Sequence, residues 1–271
     1  ETADPNMATS DKMIGSSAAW AAGYTGAGSR IAIIDTGADV DHPSLDPDAL
    51  KYALQGSNAT IMTEADLTDE VLNQLNAYTR KAGLTAADFY VNEKIPFGFN
   101  YVDADTDITH DNDTQGDHGS HVTGIAAGNR FVKDEAGNYV AALDSVMTQG
   151  VAPDAQILTM KVFGKRGGAY DSDYMVAIED AMVLGADAAN LSLGGSVPGY
   201  SEYTEEKYRH ILDEIVGSGM VVTISAGNSG SWFDQTAFGL PYAGSVNWAT
   251  NGSPGSYVNS LCVTRALQTI I

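Results

Sequence analysis

Apolar positions along the chain fall into two patterns. Short continuous runs recur, among them Ile31-Ala32-Ile33-Ile34 before Asp35, Ile157-Leu158-Thr159-Met160, and Met220-Val221-Val222-Thr223-Ile224 before Ser225. Such runs, rich in branched residues and closed by Asp, Gly or Ser, read as strands buried on both faces of a parallel sheet. Between them the period changes to helical. Residues 173–185 place Met175, Val176, Ile178, Met182 and Val183 inward and end at a C-cap glycine. Residues 204–219 do the same with Tyr208, Ile211, Leu212, Ile215 and Val216. Val122, Ile125 and Ala126 predict a buried helix that begins near His118. Leu67–Ala82 predicts one helix with Leu67, Val71, Leu72 and Leu75 inward, acids at its start and Arg80 and Lys81 near its end. Residues 13–23 predict a short helix covering the sheet, and Lys94–Tyr101, Asp187–Gly195 and Tyr257–Ala266 predict further strands. Residues 1–12 read as a polar tail or linker, and 129–149 as a surface loop. Strands alternating with helices predict an α/β fold, a three-layer αβα arrangement around a mostly parallel twisted sheet.

Composition narrows what such a fold does. A length of 271 residues suffices for one large core, and 44% hydrophobic residues with 29 glycines fit a loop-rich globular enzyme. The formal charge of −21 argues against nucleic acid as a partner. Cys262 is the only cysteine, which excludes an internal disulfide framework, and its place in a strand reads as a buried thiol. No stretch is long and apolar enough to span a membrane, and no signal peptide is present.

Two of the apolar runs lead into chemistry. Asp35 closes the first, and Gly37 follows it, at the strand end where open α/β sheets place their active sites. His118 stands in Gly116-Asp117-His118-Gly119-Ser120-His121-Val122-Thr123-Gly124, a loop feeding a helix. A histidine fixed at a first turn and aimed into a cleft suits a general base, because its pKa lies near working pH. Gly119 and Gly124 read as points where another backbone or a substrate comes close. A third run ends in Ser225-Ala226-Gly227-Asn228, where an amide can donate to a developing oxyanion. Ile34-Asp35-Thr36-Gly37 also matches the local motif of aspartic peptidases. That mechanism needs two carboxylates sharing a proton, and the chain has a single D-T-G among many predicted helices.

Taken together, IIDTG, HGSHVTG, NLSLGG (190–195) and SAGNSG (225–230) resemble the subtilisin-like serine peptidases over roughly residues 13 to 265. The resemblance implies acyl-enzyme hydrolysis of peptide bonds, with Asp35 orienting His118, His118 as base and Asn228 in the oxyanion hole. It implies that Ser192, Leu193, Gly194 and Gly195 pair with an extended substrate. Ser225, Ala226 and Gly227 would form one wall of the pocket for the residue before the cut bond. His121 is expected to be structural. The 83 positions separating Asp35 from His118 exceed what compact members need, and place an insertion at about 47–100. That insertion, with KIPFGFNY (94–101) and the acidic loop after it, is similar to the Gram-positive cell-envelope proteinase and C5a-peptidase-like branch. A bacterial, secreted or wall-associated protein is the corresponding expectation.

No cofactor is expected for the chemistry. Many relatives bind a structural calcium through an aspartate one residue after the proline that follows the Asp35 strand, and here that position is Ser44. Asp103, Asp105 and Asp107 begin like a calcium loop, but the sixth position is Ile108 and the twelfth is Thr114. The family's nucleophile is a Ser in a Gly-Thr-Ser-Met-type motif at the start of a central helix, and no such motif occurs in these residues. The chain therefore reads as the N-terminal part of a catalytic domain (13–271), truncated before the Ser-bearing helix and inactive alone. Its expected partners are a peptide or protein substrate and either the rest of the catalytic domain or a second copy, because the missing helix would leave apolar surface open. The alternative is a catalytically inactive module that binds peptides.

Overall fold

The computed structural model describes residues 14–111, 113–114, 116–195, 202–227, 252–257 and 259–263. The chain divides between Asp187 and Ala188 into two units. The first holds three parallel strands in the order β2–β5–β1, namely β1 (Arg30–Asp35), β2 (Phe97–Asn100) and β5 (Gln156–Lys161). All six residues of β5 are buried, as a strand covered on both faces requires. In register, Asp35 and Asn100 both lie opposite Lys161, so three polar side chains end the three strands side by side. The second unit repeats the pattern with β6 (Ala188–Leu191), β7 (Val221–Ser225) and β8 (Leu261–Val263), also parallel and in that order. The expected α/β class with a mostly parallel sheet is what forms.

Helices connect the strands of the first unit. They are α1 (Ser16–Ala21), α2 (Pro47–Ala53), α3 (Asp69–Leu72), α4 (Asn76–Arg80), α5 (Ala86–Phe89), α6 (His118–Ala127), α7 (Ala142–Ser145) and α8 (Asp171–Val183). The second unit adds α9 (Glu202–Ser218). A small antiparallel hairpin, β3 (Phe131–Lys133) with β4 (Tyr139–Ala141), and the single turn α7 replace the expected loop at 129–149. The hairpin is held by Tyr52 of α2, whose ring stacks on Tyr139 at 4.6 Å and meets Phe131 edge-on at 5.0 Å.

Four local expectations change. The single helix expected over 67–82 is broken into α3 and α4, although Leu67, Leu72 and Leu75 are buried as anticipated. The break follows from Asp180 on α8. Its carboxylate accepts from the backbone N–H of Asn76 at 2.7 Å and of Ala77 at 2.9 Å, and from Tyr101 Oη at 2.8 Å. A buried carboxylate thus starts a new helix at Asn76. Burial pushes the Asp180 carboxyl above its ordinary value, against the pull of those donors. In α6 the fully buried residues are Gly119, Thr123 and Ala127; Val122 and Ala126 are half-buried against the core as expected, and Ile125 is exposed. Val183 and Val216 point outward, Val216 at 70% exposure. In α1 only Ser16 is buried, and the helix is tied down by Trp20 Nε1 donating to the Val151 carbonyl at 2.8 Å.

Lys94 has no exposed surface, and its ammonium donates to the carbonyls of Pro153 and Ala155 at 2.9 and 2.8 Å. Desolvation lowers its pKa to about 7 from the ordinary 10.5, with Asp154 pulling the other way. The unfolded chain then holds a proton that the folded chain has lost between about pH 7 and 10.5. The charged form disfavours folding fully below that window, and the penalty fades as pH rises through it. Lys94 should therefore add up to roughly 1.4 kcal/mol of stability per pH unit across the window. Urea unfolding at pH 7, 8 and 9 should show a shallower rise for Lys94→Met than for the wild type. Parallel slopes would contradict the assignment.

Candidate active site

The site is built where β1 ends. Asp35 is 1% exposed, and its Oδ1 accepts from the Thr36 N–H at 2.7 Å and lies 2.8 Å from His118 Nδ1. In the tautomer that carries its proton on Nδ1, His118 donates to Asp35 Oδ1 alongside the Thr36 N–H. The neutral imidazole then carries its lone pair on Nε2. The His118 side chain is 51% exposed, and among the described residues Nε2 has no hydrogen-bond partner. One ring nitrogen is held in the core and the other is presented outward. That arrangement accepts a proton from a group outside it.

Two glycines make the approach. The Gly119 N–H donates to Thr36 Oγ1 at 2.8 Å, and a Cβ on Gly119 would fall 2.1 Å from the Gly37 carbonyl oxygen. Gly37 adopts φ 106°, and a Cβ there would fall 2.2 Å from the Ile108 carbonyl oxygen. Both are positions that only glycine fills. Asp39 N–H donates to Ser120 Oγ at 2.7 Å, and Ala38 N–H to the Ile108 carbonyl at 2.9 Å. The turn after Asp35 is therefore fastened both to the first turn of α6 and to the loop before it. Gly124, in contrast, has open space where a Cβ would sit, and no other backbone reaches it there. It lines a cleft of about 730 Å³ along α6 together with His121, Asp117, His42 and His110.

The second unit brings together the remaining segments. Ser225 Oγ donates to the Leu193 carbonyl at 3.1 Å, and Ser192 Oγ accepts from Asn190 Nδ2 at 3.0 Å. The Gly195 N–H donates to the Ser253 carbonyl at 2.8 Å, and the Gly252 N–H to the Ala226 carbonyl at 3.0 Å. The segment 252–255 thus seats both Gly194-Gly195 and Ser225-Ala226. A Cβ on Gly252 would lie 1.9 Å from the Gly195 oxygen. Gly227 follows at φ 85°. Sequence reasoning missed this segment, and Gly252 and Gly255 flanking Pro254 were the available signal. Asn228 lies outside the described residues.

The acidic loop does not converge. Asp103 Oδ2 accepts from Asn100 Nδ2 and the Lys165 N–H, Asp105 Oδ1 from the Asp107 N–H, and Asp107 Oδ1 from Thr109. Among the described residues no group of three or more acids, His or Cys is arranged to hold a metal. Ser44 Oγ is 2.7 Å from His42 Nδ1, so the position after the proline serves a local turn and offers no carboxylate to calcium. Sequence reasoning also passed over Lys161 and Asp113. A lysine in a run where every residue is buried was the signal for the first.

A profile of the subtilase family matches residues 26–268. The chain is 32% identical over 274 residues to the PI-type proteinase of Lactococcus lactis subsp. cremoris, covering 98% of this chain and 13% of that protein. It is 29% identical over 270 residues to the minor extracellular protease Vpr of Bacillus subtilis (strain 168), covering 97% of this chain and 23% of that protein. It is 28% identical over 240 residues to the C5a peptidase of Streptococcus pyogenes, covering 88% of this chain and 18% of that protein. The chain thus spans between about an eighth and a quarter of these relatives' lengths.

The two glycines of α6 should respond in opposite ways. Gly119→Ala should destabilise by roughly 1–3 kcal/mol, the range for overpacking a filled site. Gly124→Ala, in an open helical position, should be neutral or stabilise by up to about 1 kcal/mol. Urea melts of the two variants decide it, and equal effects would contradict the packing described.

Proposed function

The chain belongs to the subtilase family, and on that premise we propose that it supplies the base and the orienting acid of a serine endopeptidase reaction. The observation that carries this is the Asp35 Oδ1–His118 Nδ1 contact of 2.8 Å, with the carboxylate buried and the ring half exposed. His118 Nε2 takes the proton of a serine hydroxyl as that oxygen attacks a peptide carbonyl. Asp35 keeps the ring in one tautomer and stabilises the imidazolium that forms. The imidazolium then returns the proton to the leaving amine, and water hydrolyses the acyl-enzyme by the same route. The pairing with a histidine, in a unit of parallel strands and helices, also speaks against an aspartic-peptidase reading of the D-T-G motif.

The second unit, on this proposal, holds the peptide. Ser192, Leu193 and Gly194 offer backbone groups for strand pairing, while the Gly195 N–H is already engaged by Ser253. Ser225, Ala226 and Gly227 line the pocket for the side chain before the cut bond. Asn228 donates to the oxyanion. The nucleophile is a serine outside these 271 residues, carried by a further part of the same protein or by a companion polypeptide. The substrate is a peptide or protein met outside the cell, a setting that fits the relative named as an extracellular protease.

Intact mass spectrometry before and after a serine-directed fluorophosphonate tests the division of parts. A labelled companion beside an unmodified chain is the expected result, and a labelled serine within this chain would overturn the placement of the nucleophile. In peptide-hydrolysing material, His118→Ala should lower kcat by roughly six powers of ten. Hydrolysis that survives the substitution would remove His118 from the reaction, and material that binds peptides without cutting them would favour the binding-module alternative.

A further inference from the structure

Lys161 ends β5 directly beside Asp35 in the sheet register, and it is buried to 1% exposure. Its ammonium makes two contacts. It donates to the Thr36 carbonyl at 2.6 Å and to Asp113 Oδ2 at 2.5 Å. The Asp113 side chain is as buried as its partner. Thr36 is the residue after the acid, and Asp113 lies five residues before the base. Thr36 also gives its N–H to Asp35 Oδ1 and takes the Gly119 N–H on Oγ1. The stem of Lys161 runs under Gly37, whose missing Cβ would sit 3.3 Å from Lys161 Cδ. A single ammonium therefore fixes the peptide that follows Asp35 and the loop that delivers His118.

We propose that the buried Lys161–Asp113 ion pair is a positioning device that sets the Asp35–His118 hydrogen bond, a role that rests on the peptidase reading above. A buried ion pair is a poor source of stability, because desolving two charges offsets most of their attraction, and an apolar pair of similar volume commonly holds a fold as well. An apolar pair could not grip the Thr36 carbonyl. The geometry here uses the ammonium for direction: one donor to the turn after the acid, one to the approach of the base. Neither residue touches the reacting atoms. Their effect runs through the orientation of Thr36 and of the first turn of α6, where small displacements of a base weaken catalysis by large factors.

The test uses the low-field proton NMR signal of His118 Nδ1–H, which needs no substrate and no nucleophile. In the wild-type chain this proton should be observed and should exchange slowly. Lys161→Met removes both donors and should speed its exchange roughly tenfold or more, or broaden it away. Asp113→Asn keeps the volume and a hydrogen-bond acceptor, and should fall between the two. In peptide-hydrolysing material, Lys161→Met should lower kcat by roughly 10- to 100-fold with KM within about threefold. Variants that melt at lower temperature yet keep the wild-type His118 signal and kcat would overturn the proposal and leave the pair a plain core contact. Should Lys161→Met not fold, an Asp113→Asn chain with an unchanged signal would overturn it equally. Wild-type material that hydrolyses no peptide would sink the peptidase reading instead, while the NMR comparison still decides whether the pair sets the hydrogen bond.

Discussion

A carboxylate buried as deeply as Asp35 is tolerated only when hydrogen bonds replace the water it has lost. Oδ1 has two such partners, the Thr36 N–H and His118 Nδ1, and Oδ2 has none among the described residues. The imidazole is therefore one of very few groups that make this carboxylate acceptable in the core. Much of the first unit follows from that need. His118 must reach Asp35, so the first turn of α6 must touch the turn after β1. The contact is backbone to backbone, which is why Gly37 and Gly119 carry no side chains at that crossing. The stripe that α6 buries is small for the same reason: Gly119, Thr123 and Ala127 let the helix axis come close.

Charge is placed in an unexpected way for so acidic a chain. With 14 basic residues against 35 acidic ones, cations could all have stayed at the surface. Lys94 and Lys161 are instead fully buried, each donating to backbone carbonyls near strand ends. Arg130 reaches inward as well, to Asp154 at 2.9 Å and the Ala53 carbonyl at 2.8 Å. Strand ends and turns leave carbonyls without a ladder partner, and a buried donor with several protons is an efficient way to satisfy them. The segment 69–80 is anchored by the converse device. There an acid, Asp180, caps the start of α4, and Arg80 from the same helix meets Asp173 at 2.6 Å.

What could be read from the sequence was whatever is local. Asp35 and His118 announced themselves because a carboxylate after four apolar residues, and a histidine before a small-residue helix, are each visible within ten positions. The parallel strands were legible for the same reason. Several of the misreadings involve partners far away in the chain. Asp180 breaks the helix at 67–82 from 104 residues downstream, and no periodicity in that segment could reveal it. Apolar spacing in α6 pointed to Val122 and Ile125; Val122 packs against the core, Ile125 is exposed, and the contact with the turn after β1 buries the smaller Gly119. Lys161 drew no reading from the sequence, because its contacts are to Thr36 and Asp113, 125 and 48 positions away.

The two units solve different physical problems, and their residues differ accordingly. On the proposed function His118 has to deliver its lone pair along one direction, and the first unit surrounds it with directional bonds and fixed charges: Asp35, Thr36, Lys161 and Asp113. The peptide-binding edge proposed for the second unit faces the opposite demand, since it would have to hold many sequences through groups that all peptides share. The described part of the second unit meets this with main chain. Leu193, Gly194, Gly195, Ser225 and Ala226 are held by carbonyls, N–H groups and one hydroxyl, and packed against Gly252 without an ion pair among them. Substitutions in the first unit should therefore act on rate through geometry. On the proposed function, substitutions at Gly194, Gly252 or Gly255 should act on which peptides are held, because a Cβ at each of these meets backbone.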